Sequence, residues 1–126
     1  MRIAIAGIVP LLFAAAVLAA PTPVPVRAEI DALLGRLESA GCRFGRNNEW
    51  YAGAEAKAHL LRKLDYIEKL GTIGSTEEFI ETAATKSSVS GTPYQVQCGN
   101  GAAVQSAQWL SGQLSVLRAA AARTAR

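Results

Sequence analysis

The sequence predicts a small α+β domain of four helices with one or two short β-hairpins, closed by one disulfide. Three observations carry that expectation. Four stretches repeat apolar residues at helical spacing, two short stretches alternate instead around Asn-Asn and Gly-Asn-Gly turns, and Cys42 and Cys98 are the only cysteines, in a chain that opens with an export-type leader.

The leader comes first. Arg2 supplies a positive start, and Ile3 to Ala20 is uncharged and broken only by Pro10. Pro21, Pro23 and Pro25 are expected to stop any helix, and Val26-Arg27-Ala28 offers the small-residue pattern of a signal-peptidase site. Residues 1–28 are therefore assigned to a removable signal peptide, with cleavage after Ala28. The rival site is after Ala19, with Val17 and Ala19 at the recognition positions. An uncleaved anchor is the alternative, because the apolar run is near the lower limit of about 17–25 residues for a membrane span. The expected location is periplasmic, with no stable membrane insertion once the signal is gone.

Removing the signal changes the charge. The 126-residue chain carries +3, but Arg2 and Arg27 leave with the leader, which brings 13 basic residues to 11 against 10 acidic. The basic pI then gives no reason to expect nucleic acid as a partner. What remains is one globular domain over 29–118 and a fraying alanine-rich tail over 119–126, where Arg118, Arg123 and Arg126 read as a solvated helix end. A domain this small benefits from a staple, and a Cys42–Cys98 bond closing so long a loop contributes about 4 kcal/mol in the chain-entropy description.

Each element follows from spacing. Glu29 to Ala40 reads as a helix because Ile30, Leu33, Leu34 and Leu37 form one stripe, and Gly41 suits its end. Cys42 to Tyr51 reads as a short hairpin around Asn47-Asn48, with Trp50 resuming the apolar content. Ala54 to Leu70 is the longest helix, striped by Ala56, Leu60, Leu64 and Ile67, widened by Leu61 and Leu70 and ended by Gly71. Ser75 with Glu78 is a capping box opening a helix to about Lys86, with Phe79, Ile80, Ala83 and Ala84 inward. Residues 87–93 are a loop. Tyr94 to Cys98 alternates as a strand that could present an open edge to a partner strand, and Ala102 to Gln105 is the candidate second strand returning beside it. Ser106 is placed to cap a last helix in which Trp109, Leu110, Leu114 and Leu117 face inward.

No high-specificity catalytic motif is present. Glu55, His59 and Lys63 lie at i, i+4 and i+8 on the long helix and flank its apolar stripe, with Tyr66 on the same flank. A carboxylate beside His59 would orient the ring and raise its pKa, and Ser87, Ser88 and Ser90 are the loop hydroxyls that could complete an acid–base set. The competing reading is structural: His59 anchors the loop, and Glu55 pairs with Lys63 or Arg62. One histidine and two cysteines make no zinc site, and neither metal nor cofactor is expected. A second cluster, Arg43, Arg46, Asn47, Asn48, Trp50 and Tyr51, suits sugar, carboxylate or peptide recognition, against the simpler reading that its aromatic residues are core and its arginines snorkel. Trp50 and Trp109 are assigned to the core.

Taken in order, Phe44-Gly45-Arg46-Asn47-Asn48-Glu49-Trp50-Tyr51, Glu55-Ala56, His59-Leu60, Lys63, Thr76-Glu77-Glu78-Phe79-Ile80, Ser87-Ser88-Val89-Ser90-Gly91-Thr92-Pro93-Tyr94 and Trp109-Leu110 form a series that resembles the YfeK-like family of small secreted bacterial proteins. The resemblance runs from about Glu29 to Leu117. It implies an exported, periplasmic, single-domain protein of an uncharacterised family and carries no activity. The sequence departs from the family pattern at Asn48, where glycine is frequent; asparagine also tolerates left-handed turns.

The leading functional expectation is a non-enzymatic binding or interaction module whose partner is an envelope protein or a cell-wall fragment. Its groove would be built from Arg46, Asn47, Tyr51, His59, Lys63, Ser90 and Tyr94. One alternative is a small envelope hydrolase or transferase using His59 as base, Glu55 as orienter and Ser88 or Ser90 as nucleophile. Another is an inhibitor or toxin-neutralising protein.

Overall fold

The computed structural model describes residues 3–11 and 21–125. Residues 1–2 and 12–20 of the expected signal segment, including Arg2 and the alternative cleavage site at Ala19, lie outside them. Residues 3–11 are exposed and have no regular secondary structure. The ordered elements are α1 (Val24–Ser39), β1 (Cys42–Arg46), β2 (Glu49–Ala52), α2 (Gly53–Leu70), α3 (Thr76–Ala83), β3 (Gln95–Cys98), β4 (Val104–Gln105) and α4 (Ser106–Thr124). This is the α+β domain of four helices expected from the sequence. No described helix is long and apolar enough to cross a membrane.

The two expected hairpins merge into one antiparallel sheet of order β2-β1-β3-β4. The hairpin β1–β2 turns through Asn47 and Asn48, both at positive φ (49° and 65°), as a two-residue turn with left-handed residues requires. β3 then pairs with the other edge of β1, with Phe44 opposite Val96 and Cys42 opposite Cys98. The disulfide joins that last pair, Cα to Cα 4.1 Å. The expectation that Tyr94 to Cys98 offers an open edge is therefore corrected: β3 is an inner strand, covered by β1 on one side and β4 on the other.

Alternation sorts the sheet's faces. Cys42, Phe44 and Val96 point inward onto Leu33, Leu37, Leu60, Leu64, Phe79 and Leu110, all buried. Arg43, Gly45, Gln95 and Gln97 point the other way. The α1 stripe Ile30, Leu33, Leu34 and Leu37 is wholly buried. α1 and α2 approach most closely at Gly53, where a Cβ would stand 2.2 Å from the Leu37 carbonyl oxygen. Glycine is required there by space.

Several boundaries differ from the sequence reading. α1 begins at Val24, five residues before Glu29, because Pro23 and Pro25 sit at its N-cap and first turn, where a missing N–H costs nothing. The structured chain starts earlier still: Thr22 is 6% exposed, and both its N–H (3.3 Å) and its hydroxyl (2.6 Å) donate to Glu68 Oε1. Arg27 spans Asp31, Asp65 and Glu68 at 3.5–3.8 Å. α2 starts at Gly53, one residue early, and α3 stops at Ala83 rather than Lys86, because Lys86 bridges to Pro93. Ser75 caps α3 as expected, accepting from the Glu78 N–H at 3.1 Å, but Glu78 returns its bond to the Gly74 N–H. Ser106 is not a cap; it is the first helical residue, and its hydroxyl is buried without a partner among the described residues. α4 stays helical to Thr124 instead of fraying at 119, and Arg118 fastens it to Glu29 of α1 (2.9 Å) and Glu77 of α3. Trp109 packs against the core, half-buried, whereas Trp50 does not join it and is 40% exposed on the outward face of the sheet.

Candidate functional site

α2 delivers His59, Arg62 and Lys63 to one side because three- and four-residue spacing stacks them on neighbouring turns. β1 brings Arg46 beside them: it shares the inward parity of Phe44 but lies at the strand's end, past the core. The chain entering β3 adds Tyr94, whose ring is buried against Phe44 with centroids 4.9 Å apart.

The three elements meet at the Tyr94 hydroxyl. His59 Nε2 lies 3.2 Å from it and Lys63 Nζ 3.1 Å. The lysine also donates to the Lys86 carbonyl at 3.1 Å and sits 4.9 Å from the Tyr94 ring centre. Lys63 has protons only to give, so the phenol accepts from lysine and keeps its own proton for donation; given to a neutral His59 at Nε2, that proton sets the imidazole hydrogen on Nδ1. The electrostatics agree. Burial, then the charges of Arg46, Lys63 and Arg62, push the His59 pKa down to about 4. Burial and Arg46 lower Lys63, while burial raises Tyr94 despite the opposing Arg46. The phenol is thus held protonated.

Two neighbouring recesses share Arg46, His59 and Arg62 as walls. The smaller, about 110 Å³, is completed by Phe44, Tyr51, Glu55 and Ala56. The larger, about 410 Å³, opens over Lys63, Tyr66, Ile67, Thr82, Ser88, Val89 and Tyr94. Arg46, Arg62 and Lys63 form no ion pair among the described residues, whose salt bridges involve only Arg27, Lys57 and Arg118 as cations. The Arg46 Nε–H is buried and has no acceptor there.

Of the expected groove, Arg46, Tyr51, His59, Lys63 and Tyr94 converge. Asn47 and Ser90 do not line it. They bind each other, Ser90 Oγ donating to Asn47 Oδ1 at 2.5 Å, while Asn47 Nδ2 donates to the buried Ser87 Oγ at 3.3 Å. That pair clamps the 87–93 loop to the β1–β2 turn. The expected His59–Glu55 bond is replaced by His59–Tyr94, and the expected rise in the His59 pKa becomes a fall. Glu55 stands on the groove wall and pairs with neither Lys63 nor Arg62. No serine of the loop is hydrogen-bonded to His59: Ser87 and Ser90 are spent on the clamp, and Ser88 lines the larger recess. Sequence reasoning passed over Arg62 as a wall residue, although its place three residues after His59 on the same helix face was the available signal. No three of His, Cys, Asp and Glu gather as a metal-binding group among the described residues.

A small disulfide-closed α+β domain with a cationic groove between its long helix and its sheet is what the geometry defines. Residues 24–118 match the model of a family of unknown function, DUF5329, and the chain belongs to that family. No curated protein and no solved structure matches it.

Proposed function

We propose that the chain is an exported, non-enzymatic binding module whose groove takes an oxyanion, a carboxylate or phosphate group carried by envelope material. One observation carries this reading: four nitrogen-bearing side chains, Arg46, His59, Arg62 and Lys63, surround one recess with no carboxylate paired to them. An anion there would gain charge-assisted hydrogen bonds from a partly desolvated site, including one from the orphaned Arg46 Nε–H. Glu55 on the smaller recess favours the larger as the seat of the anion. A catalytic reading has less support, since the hydroxyl held by His59 is a phenol kept protonated by burial.

The disulfide and the leader-like N-terminus support export to the periplasm. The resemblance to the YfeK-like family of exported proteins accords with it. Because Thr22, Val26 and Arg27 are built into the fold, cleavage after Ala19 now fits better than cleavage after Ala28.

The test is thermal unfolding in phosphate or acetate against chloride at equal ionic strength. Phosphate or acetate should raise Tm, and Arg62→Gln, which breaks no bond among the described residues, should reduce the rise while leaving the chloride Tm nearly unchanged. Equal Tm values in all three salts would contradict the reading.

A further inference from the structure

The outward face of the sheet carries a separate recess of about 280 Å³ that shares no wall with the cationic groove. Strand register lays Trp50, Gly45, Gln95 and Gln105 in one row across all four strands. At about 4.8 Å per strand the row is about 14 Å long.

Gly45 sets the row's shape. A Cβ on it would lie 3.1, 3.2 and 3.3 Å from three consecutive atoms of the Trp50 six-membered ring. Distances that similar place the ring face, not its edge, on the glycine. Trp50 as a whole is 40% exposed, and the Arg43 guanidinium stands over its ring, 5.7 Å from the centre, itself tied to Gln97 Oε1 at 3.2 Å. The Trp50 indole N–H and the side-chain amides of Asn48, Gln95 and Gln105 form no hydrogen bond among the described residues. No lysine or arginine lines the recess, and its one charged wall residue is Glu49.

A flat, partly exposed ring suits the C–H face of a pyranose, and neighbouring amides offer the paired donors and acceptors that sugar hydroxyls and acetamido groups need. An anion would meet Glu49 on the wall and only Arg43, already engaged by Gln97, as a nearby cation, and an apolar partner would strand three amides. We propose that this face of the sheet is a second binding site, for a neutral saccharide chain. One sugar ring stacks on Trp50, and the following sugars run along Gln95 and Gln105. The site is independent of the oxyanion groove.

The experiment is an NMR titration of the ¹⁵N-labelled protein with the N-acetylglucosamine tetrasaccharide. The Trp50 indole and the Gln95 and Gln105 side-chain amides should shift together and saturate at millimolar sugar. Trp50→Ala should weaken binding about tenfold or more, roughly 1.4 kcal/mol. Gly45→Ala, which lifts the ring off the sheet, should weaken it too, and His59→Ala should leave it unchanged. Absence of shifts at these three side chains, or shifts that survive both Trp50→Ala and Gly45→Ala in folded protein, would overturn the proposal.

Discussion

Lys63 places its ammonium 3.1 Å from the Tyr94 hydroxyl and 4.9 Å from the centre of the same ring, so one cation holds both the polar tip and the π-face of a buried tyrosine. The tyrosine in turn fixes His59. Burial, with the charges of Arg46, Lys63 and Arg62, keeps that histidine neutral.

Acid should loosen the fold through that histidine. Its folded pKa of about 4 lies below the ordinary 6.5, so the unfolded chain takes up the proton first as pH falls. The contribution is complete above about pH 6.5 and is lost progressively between about 6.5 and 4, amounting to about 1–2 kcal/mol after allowing for solvent screening at a half-exposed ring. Glu29, lowered chiefly by its bond to Arg118, acts in the lower window, below its ordinary 4.5. Urea unfolding at stepped pH should show the upper loss in wild type and not in His59→Gln.

Tyr94→Phe keeps the ring and removes the hydroxyl shared by His59 and Lys63. The expected cost is about 1–2 kcal/mol, because two half-buried polar groups lose their common partner. Urea midpoints at neutral pH measure it, and an unchanged midpoint would mean the shared hydroxyl has no weight in stability.

Gly53→Ala should destabilise by about 2–3 kcal/mol despite alanine's better helix propensity, since the added methyl meets the Leu37 carbonyl and α1 and α2 must part. A Tm equal to or above that of wild type would contradict the close approach.

On the export reading proposed above, the mature chain should begin at Ala20. N-terminal sequencing of the secreted form decides between that and Glu29. A chain starting at Glu29 should be less stable by about 2–4 kcal/mol, having lost the Thr22–Glu68 bonds, the Arg27 ion pairs and the Val26 packing.

Local signals were legible in the sequence and distant ones were not. The stripe Ile30-Leu33-Leu34-Leu37, the Asn47-Asn48 turn and the Ser75 cap each depend on a few neighbouring residues, and each stands where the spacing put it. The pairing of β1 with β3 depends on which strand edges meet after helices intervene, and no local pattern encodes that. Pro23 and Pro25 were misread because proline both ends and begins helices, and only the packing of Thr22 on Glu68 distinguishes the cases here. His59 was correctly set at the edge of the core. Its partner was missed because Tyr94, 35 residues away, reaches it through the fold, whereas Glu55 was only the nearest carboxylate on the helix. Trp50 was assigned to the core on hydrophobicity alone, but its register opposite Gly45 turns it outward.

The most direct test of the oxyanion groove is the His59 titration midpoint, read by NMR from its ring protons with and without saturating phosphate. The free protein should titrate at about 4, and phosphate seated among Arg46, Arg62 and Lys63 should raise that midpoint by favouring the imidazolium. A midpoint that phosphate leaves unmoved would contradict the groove's assignment as an anion site.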